Sequence, residues 1–283
     1  MGRGTRPAVA ATVAVLAVAG CTTAPGRLLD SAPPPVTVAG AGSEIAREPW
    51  TCCWRNGCAD GVPPQDPPDL GSPARVTVSF PRPGWSLRAD LQPAGEPCGR
   101  VQTVALAPGE DGGSSLAPAG PAGVYDVVLM GSGPGGDVAT SFRWTTPVDG
   151  PMPVPSARLA VLADHDGRVD SYGVELALDG LAATPREASA TVTVTPAEGD
   201  PVTSEATPGT ATCLPEGSLR FDGPDAQGLE AAASGPPPFD YEVQLVLDGV
   251  EHRATATWPR VEVPDGGPSV ELDVAPPLPR LAR

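Results

Sequence analysis

The chain of 283 residues contains no lysine, one isoleucine (Ile45) and one asparagine (Asn56). All 18 of its basic residues are arginine, set against 34 aspartates and glutamates. An excess of acid this large excludes nucleic acid as a partner, because the phosphate backbone repels it. Only two histidines, His165 and His252, are present. No Gly-x-Ser-x-Gly elbow occurs, and the aspartates flanking His165 are its sequence neighbours, which point away from it in an extended chain. Hydrolase chemistry of the Ser-His-Asp kind is therefore poorly provided for, and no catalytic residue is assigned. No Cys-x-x-Cys occurs, so a four-thiolate zinc site is not expected, and neither is any cofactor. Helix signals are also scarce. With 38 prolines and 34 glycines spread along the chain, no window keeps apolar residues at helical spacing for three turns.

What is present begins at the N-terminus. Arg3 and Arg6 precede an apolar run from Ala8 to Ala19, then Val18-Ala19-Gly20-Cys21. A positive start, a short apolar core and small residues before a cut form an export signal. The run is too short to span a bilayer. The Val-Ala-Gly-Cys end resembles the lipobox of bacterial lipoproteins, and the Ala-, Gly-, Pro- and Arg-rich composition suits a high-GC bacterial genome. The resemblance implies that residues 1–20 are a signal peptide, that Cys21 is acylated and becomes the first residue, and that the protein is held at the outer face of the cell membrane by that lipid. Residues 21–35 then form a Pro-rich tether. Loss of two arginines with the signal takes the net charge from −16 to −18. A chain so charged is expected to be repelled by anionic head groups, leaving the acyl chains as its membrane contact.

Short alternating runs bounded by turn residues predict an all-β sandwich, and an internal repeat divides the chain into two tandem domains, 36–150 and 151–283. Trp85, Leu87, Ala89 and Leu91 alternate with Ser86, Arg88 and Asp90; Tyr172, Val174, Leu176 and Leu178 do the same. Four landmarks recur at an offset near 116: Ala74–Ser79 with Ala190–Thr195, Cys98 with Cys213, the strand at Tyr125 with that at Tyr241, and the strand ending at Trp144 with that ending at Trp258. Leu247-Asp248-Gly249-Val250 is a two-residue hairpin turn. It pairs Leu245 with His252, Val243 with Ala254 and Tyr241 with Ala256, and puts Val250 and Ala256 on the inner face. Tyr125 and Tyr241 resemble the tyrosine corner of Ig-like sandwiches, which implies two tandem Ig-like β-sandwich domains, each with a tyrosine hydroxyl bonded to a turn carbonyl.

Cys52, Cys53, Cys58, Cys98 and Cys213 are disulfide candidates outside the cytoplasm, and an odd number leaves at least one over. Asn56-Gly57 turns Cys58 back toward Cys52 or Cys53. Cys98 and Cys213 either bridge each other and lock the domains, or Cys98 joins the 52–58 cluster. Trp50 and Trp54 in this stretch are the candidate contacts for a protein or glycan partner. Asp164, Asp166 and Asp170 are a weak alternative for calcium, since the spacing fails the EF-hand pattern. Gly131-Ser132-Gly133-Pro134-Gly135-Gly136 matches G-x-G-x-x-G but lacks the helix that a dinucleotide site needs, and reads as a hairpin loop. The expected role is a non-catalytic binding or structural module; the alternatives are a glycan-active hydrolase and a thiol-redox or metal-binding surface protein.

Overall fold

The computed structural model describes residues 32–281 except 56, 109–112, 166–167, 172 and 260–268. The signal peptide, Cys21, most of the tether, Asp166 and Tyr172 lie outside the described residues. Nearly all regular structure is antiparallel β, in two units with separate hydrophobic cores.

The first unit runs through β1 (Val36–Gly40), β2 (Ser43–Arg47), β3 (Thr51–Trp54), β4 (Gly57–Ala59), β5 (Val76–Ser79), β6 (Ser86–Pro93), β7 (Gln102–Ala105), β8 (Ala107–Pro108), β9 (Ser114–Leu116), β10 (Gly123–Gly133) and β11 (Gly136–Thr146). One sheet has the order β2-β1-β5-β9-β8, the other β4-β3-β11-β10-β6-β7. Val36, Val38, Val76, Val78 and Leu116 of the first sheet meet Leu91, Val127, Leu129, Phe142 and Trp144 of the second, all at most 2% exposed. Alternation of these residues along each strand is what makes a two-sheet core.

The second unit comprises β12 (Ser156–Ala160), β13 (Ala163–His165), β14 (Arg168–Asp170), β15 (Val174–Asp179), β16 (Ala188–Pro196), β17 (Val202–Pro208), β18 (Leu219–Gly223), helix α1 (Asp225–Ala233), β19 (Phe239–Leu247), β20 (Val250–Trp258), β21 (Ser269–Glu271) and β22 (Asp273–Ala275). Nine of its strands form one strip, β21-β12-β15-β18-β17-β16-β19-β20-β22, folded over a core that includes Leu159, Leu176, Phe221, Tyr241 and Trp258, while β13 and β14 pair only with each other. β17 pairs with both β16 and β18 and so joins the two faces. Both units share the Ig-like plan of a first strand pair and a later strand on one face, with the long hairpin and its neighbours on the other.

The hairpin β19–β20 has the expected register, Leu247 opposite Val250 and Tyr241 opposite Ala256. Asp248 and Gly249 both take positive φ, 47° and 82°, as a tight primed turn requires. Val250 is a correction: it is 52% exposed, because the pair nearest the turn projects beyond the core. Ala256 is only half-buried.

The repeat also needs correcting. The hairpins β10–β11 and β19–β20 are equivalent, but β6 lies beside β10 and β16 beside β19, so β16 corresponds to β6. The Ala-Arg-Val-Thr-Val-Ser run belongs to β5, in the opposite sheet. Any half-buried pleated strand selects Ala, Thr and Val, and that shared demand produced the likeness. Cys98 follows β6 and Cys213 follows β17, so they are not equivalent either.

Helix α1 has no apolar stripe. It packs through Gly228, where a Cβ would sit 2.4 Å from the Ser171 hydroxyl, and through buried Ala231. Contact through the smallest residues leaves no helical period to read.

Candidate functional site

Two regions gather the residues singled out above, at opposite ends of the first unit. One is the end that carries the β10–β11 turn. Trp54 pairs with Gly136 there, and β3 turns back into β4 with Cys53 opposite Cys58. The Cys53–Cys58 disulfide closes that hairpin. Cys52, on the other face of β3, is 5% exposed in the core.

Beside the staple stands an aromatic cluster. Trp54 meets Phe80 edge-on at 6.3 Å and Trp85 at 5.7 Å, and Phe80 meets Trp85 at 4.6 Å. The Arg82 guanidinium lies 5.4 Å from the Trp54 ring centroid, within cation–π range. The glycine run explains itself against this cluster. A Cβ on Gly133 would come within 2.7 Å of the Trp85 indole, and one on Gly131 within 2.9 Å of Leu87 and 3.3 Å of Trp85. Gly136, at φ +140°, allows the Cys53 carbonyl to approach where a Cβ would stand. These glycines seat a tryptophan and a hairpin rather than a phosphate.

Trp54 is 6% exposed and is a core residue. Trp50 is half-buried, and its backbone N–H donates to the Ala139 carbonyl at 3.0 Å. Trp85 has the same intermediate exposure as Trp50.

The second region joins the units. Cys98 and Cys213 form a disulfide between the loop after β6 and the loop after β17. Next to it the Glu216 N–H donates to the Cys98 carbonyl at 3.1 Å. Arg100, its side chain 11% exposed, reaches into the second unit. It donates to the carbonyls of Leu181 and Ala182 and to the Glu216 carboxylate, the last at 2.9 Å. An arginine with three donors fixed by carbonyls and a carboxylate is worth more than an exposed ion pair, since its planar fork needs little ordering. Sequence reading missed Arg100; a lone arginine two residues past a cysteine carries no pattern that could have revealed it.

The tyrosines differ. The Tyr125 hydroxyl donates to the Pro121 carbonyl at 2.6 Å, the corner the resemblance implied. Burial pushes its phenol above the ordinary value, and the Asp149 carboxylate adds to the shift. The Tyr241 hydroxyl faces the Leu162 backbone instead of a turn carbonyl, and burial pushes it up further.

Asp164 and Asp170 sit on adjacent rungs of the short β13–β14 hairpin, Asp164 opposite Val169 and Asp170 opposite Ala163, which puts them on opposite faces. The Asp170 carboxylate accepts from the Ser171 N–H at 2.8 Å. Among the described residues no three metal-ligating side chains come together. His252 is 4% exposed and shares a hydrogen bond at 2.8 Å between Nδ1 and the Pro276 carbonyl, a structural use of the ring. No helix among the described residues is long and apolar enough to cross a membrane.

No family model matches the chain, and no curated protein matches it. Among solved structures, the crystal structure of chicken CNTN1 FN1-FN3 domains is similar at 12% identity, over 79% of this chain and 90% of that chain, with a TM-score of 0.19.

Proposed function

We propose that this protein is an exported, lipid-anchored, non-catalytic module in which the first sandwich carries the second away from the membrane as one clasped unit and offers it to a protein or glycan partner. The observation that carries this reading is the inter-unit clasp. A disulfide across 115 residues and a buried arginine fork between two folded units make a stiff spacer, and disulfides persist outside the reducing cytoplasm. The chain supports the geometry. Residue 36 enters the first unit at the end bearing the β10–β11 turn, and the clasp lies at the opposite end. A tether reaching back to Cys21 would place the second unit farther from the membrane than the first.

The test is fractionation of cells expressing the full chain or its Cys21→Ala variant, followed by cross-linking on whole cells. The reading expects the native chain in the membrane fraction with acyl mass on the Cys21 peptide, loss of that mass in the variant, and a stoichiometric cross-linked species. Native protein without acyl mass contradicts the anchor. An acylated protein that captures neither protein nor glycan contradicts the binding role.

A further inference from the structure

We propose that the Cys53–Cys58 disulfide is a redox-operated latch: a dithiol reductant of the cell envelope opens it, β4 leaves β3, and the sheet edge at this end of the first sandwich is bared. Such a latch requires an exported chain, as read above, but neither the lipid nor the binding partner. β4 is the outermost strand of its sheet and has three residues. Gly57 and Cys58 are exposed, and only the half-buried Ala59 touches the core. A two-stranded hairpin without a buried face is marginal in water. The ladder pairs Trp54 with Gly57, Cys53 with Cys58 and Cys52 with Ala59, and the Thr51 hydroxyl donates to the Ala59 carbonyl at 3.1 Å. The turn works against this pairing, since Arg55 holds φ at 56°, a conformation that is unfavourable for a residue with a Cβ. The covalent bridge is therefore the main tie on β4. Farther along, the Leu70 N–H donates to the Arg143 carbonyl at 2.9 Å and the Arg143 N–H to the Pro68 carbonyl at 2.8 Å, so opening stops before residue 68.

The other bridge shows why this one opens. Access does not separate them, because Cys58, Cys98 and Cys213 are all exposed. What resists reduction at equilibrium is the effective concentration of the two thiols once the bond is broken. Cys98 and Cys213 stay together when reduced. Arg100 still holds the Leu181 and Ala182 carbonyls and the Glu216 carboxylate, and the Glu216 N–H still donates to the Cys98 carbonyl. Cys58, on a strand with little else to hold it, moves away from Cys53. Cys52 lies on the opposite face of β3, 5% exposed in the core and away from the exchange. In the reaction a thiolate of the reductant attacks the exposed Cys58 sulfur, the S–S bond breaks, and Cys53 leaves with the electron pair. The second thiolate of the reductant then attacks the mixed disulfide and releases Cys58. The reductant ends as a disulfide, and its two protons pass to the two cysteines. The main-chain groups of β3 that paired with β4 then face solvent as an open sheet edge.

The experiment equilibrates the purified full chain, without oxygen, in buffers of graded reduced-to-oxidised dithiothreitol ratio. Thiols are then alkylated and the peptides quantified by mass spectrometry. Cys53–Cys58 should be half reduced at a ratio roughly tenfold or more below that needed for Cys98–Cys213. At a ratio that opens only the first bridge, amide hydrogen exchange should speed up in residues 52–59 and stay unchanged in β10 and in the second unit. Cys98–Cys213 opening first, or both bridges opening at one ratio, overturns the latch. So does a reduced Cys53–Cys58 pair whose residues 52–59 exchange as slowly as before, since the bridge would then hold nothing in place. A missing acyl group or a missing partner, which contradicts the reading above, leaves each of these outcomes as it stands.

Discussion

The two sandwiches solve one problem from opposite ends of their sequences. A two-sheet sandwich leaves its lateral strands open to pairing with other chains. The first unit covers one side with an insertion after its first strand: β2 extends the sheet beyond β1, and β3 extends the other beyond β11. The second unit covers the corresponding side with a segment after its last hairpin. There β21 pairs with β12, β22 pairs with β20, and Leu272 between them donates its N–H to the Ala157 carbonyl. On the other side both use the strand after the third core strand. In the first unit β7 pairs with β6 and β8 with β9, with buried Leu106 between them. In the second, β17 alone bridges the faces. The demand for closure is shared; where the closing segment comes from is free. The difference in source also decides where the special chemistry falls. The insertion of the first unit carries the staple and Trp54 of the aromatic cluster, at the end away from the second unit.

The comparison breaks most visibly in the cores. Trp144 is fully buried, and its Nε1–H donates to the Pro73 carbonyl at 3.0 Å, in the segment leading into β5. Trp144→Ala should cost about 3–5 kcal/mol in the first unit and leave the second unchanged. Denaturant unfolding read by tryptophan fluorescence separates them, since Trp258 is the one tryptophan of the second unit. Next is the closing segment itself. Leu278 is 8% exposed in the second core, and Leu278→Ala should cost about 3 kcal/mol there alone. An unaltered second transition would show that closure is decorative. The disulfides sharpen the contrast. Cys53→Ser with Cys58→Ser removes a bridge of sequence separation 5 and should lower first-unit stability by about 2 kcal/mol. Cys98→Ser with Cys213→Ser should instead leave both cores intact and move the two calorimetric transitions farther apart.

The smallest effect is alkaline. Burial holds the Tyr241 phenol above its ordinary 10.0, so the unfolded chain loses that proton first. Stability of the second unit is then intact below pH 10 and falls above it, by up to about 1.4 kcal/mol per pH unit. Tyr241→Phe should flatten that fall. An unchanged alkaline profile would place the titration elsewhere, with Tyr125 of the first unit as the next group to replace.

Much of the fold was legible because the signals were local. Asp248-Gly249 set a hairpin register nine pairs long, and alternation from Leu87 to Leu91 marked a strand that buries Ala89 and Leu91. What escaped was non-local or small. The closing strands β21 and β22 have three residues each, too few for a period. Helix α1 touches its neighbours through glycine and alanine. Strand equivalence between the units was misjudged because pleated surfaces ask for the same residues everywhere. Of the two candidate regions, the stretch from Trp50 to Cys58 was visible as an oddity of composition. Its partners Phe80, Arg82 and Trp85 come from a loop some thirty residues on in the chain, and only folding brings them together.

The most direct measurement is peptide mapping without reduction, by mass spectrometry, of protein taken from the cell envelope. The account predicts a Cys98–Cys213 cross-linked peptide pair in stoichiometric yield, alongside the Cys53–Cys58 bridge. Both Cys98 and Cys213 recovered as thiols would contradict it, removing the covalent clasp and with it the stiff two-unit spacer.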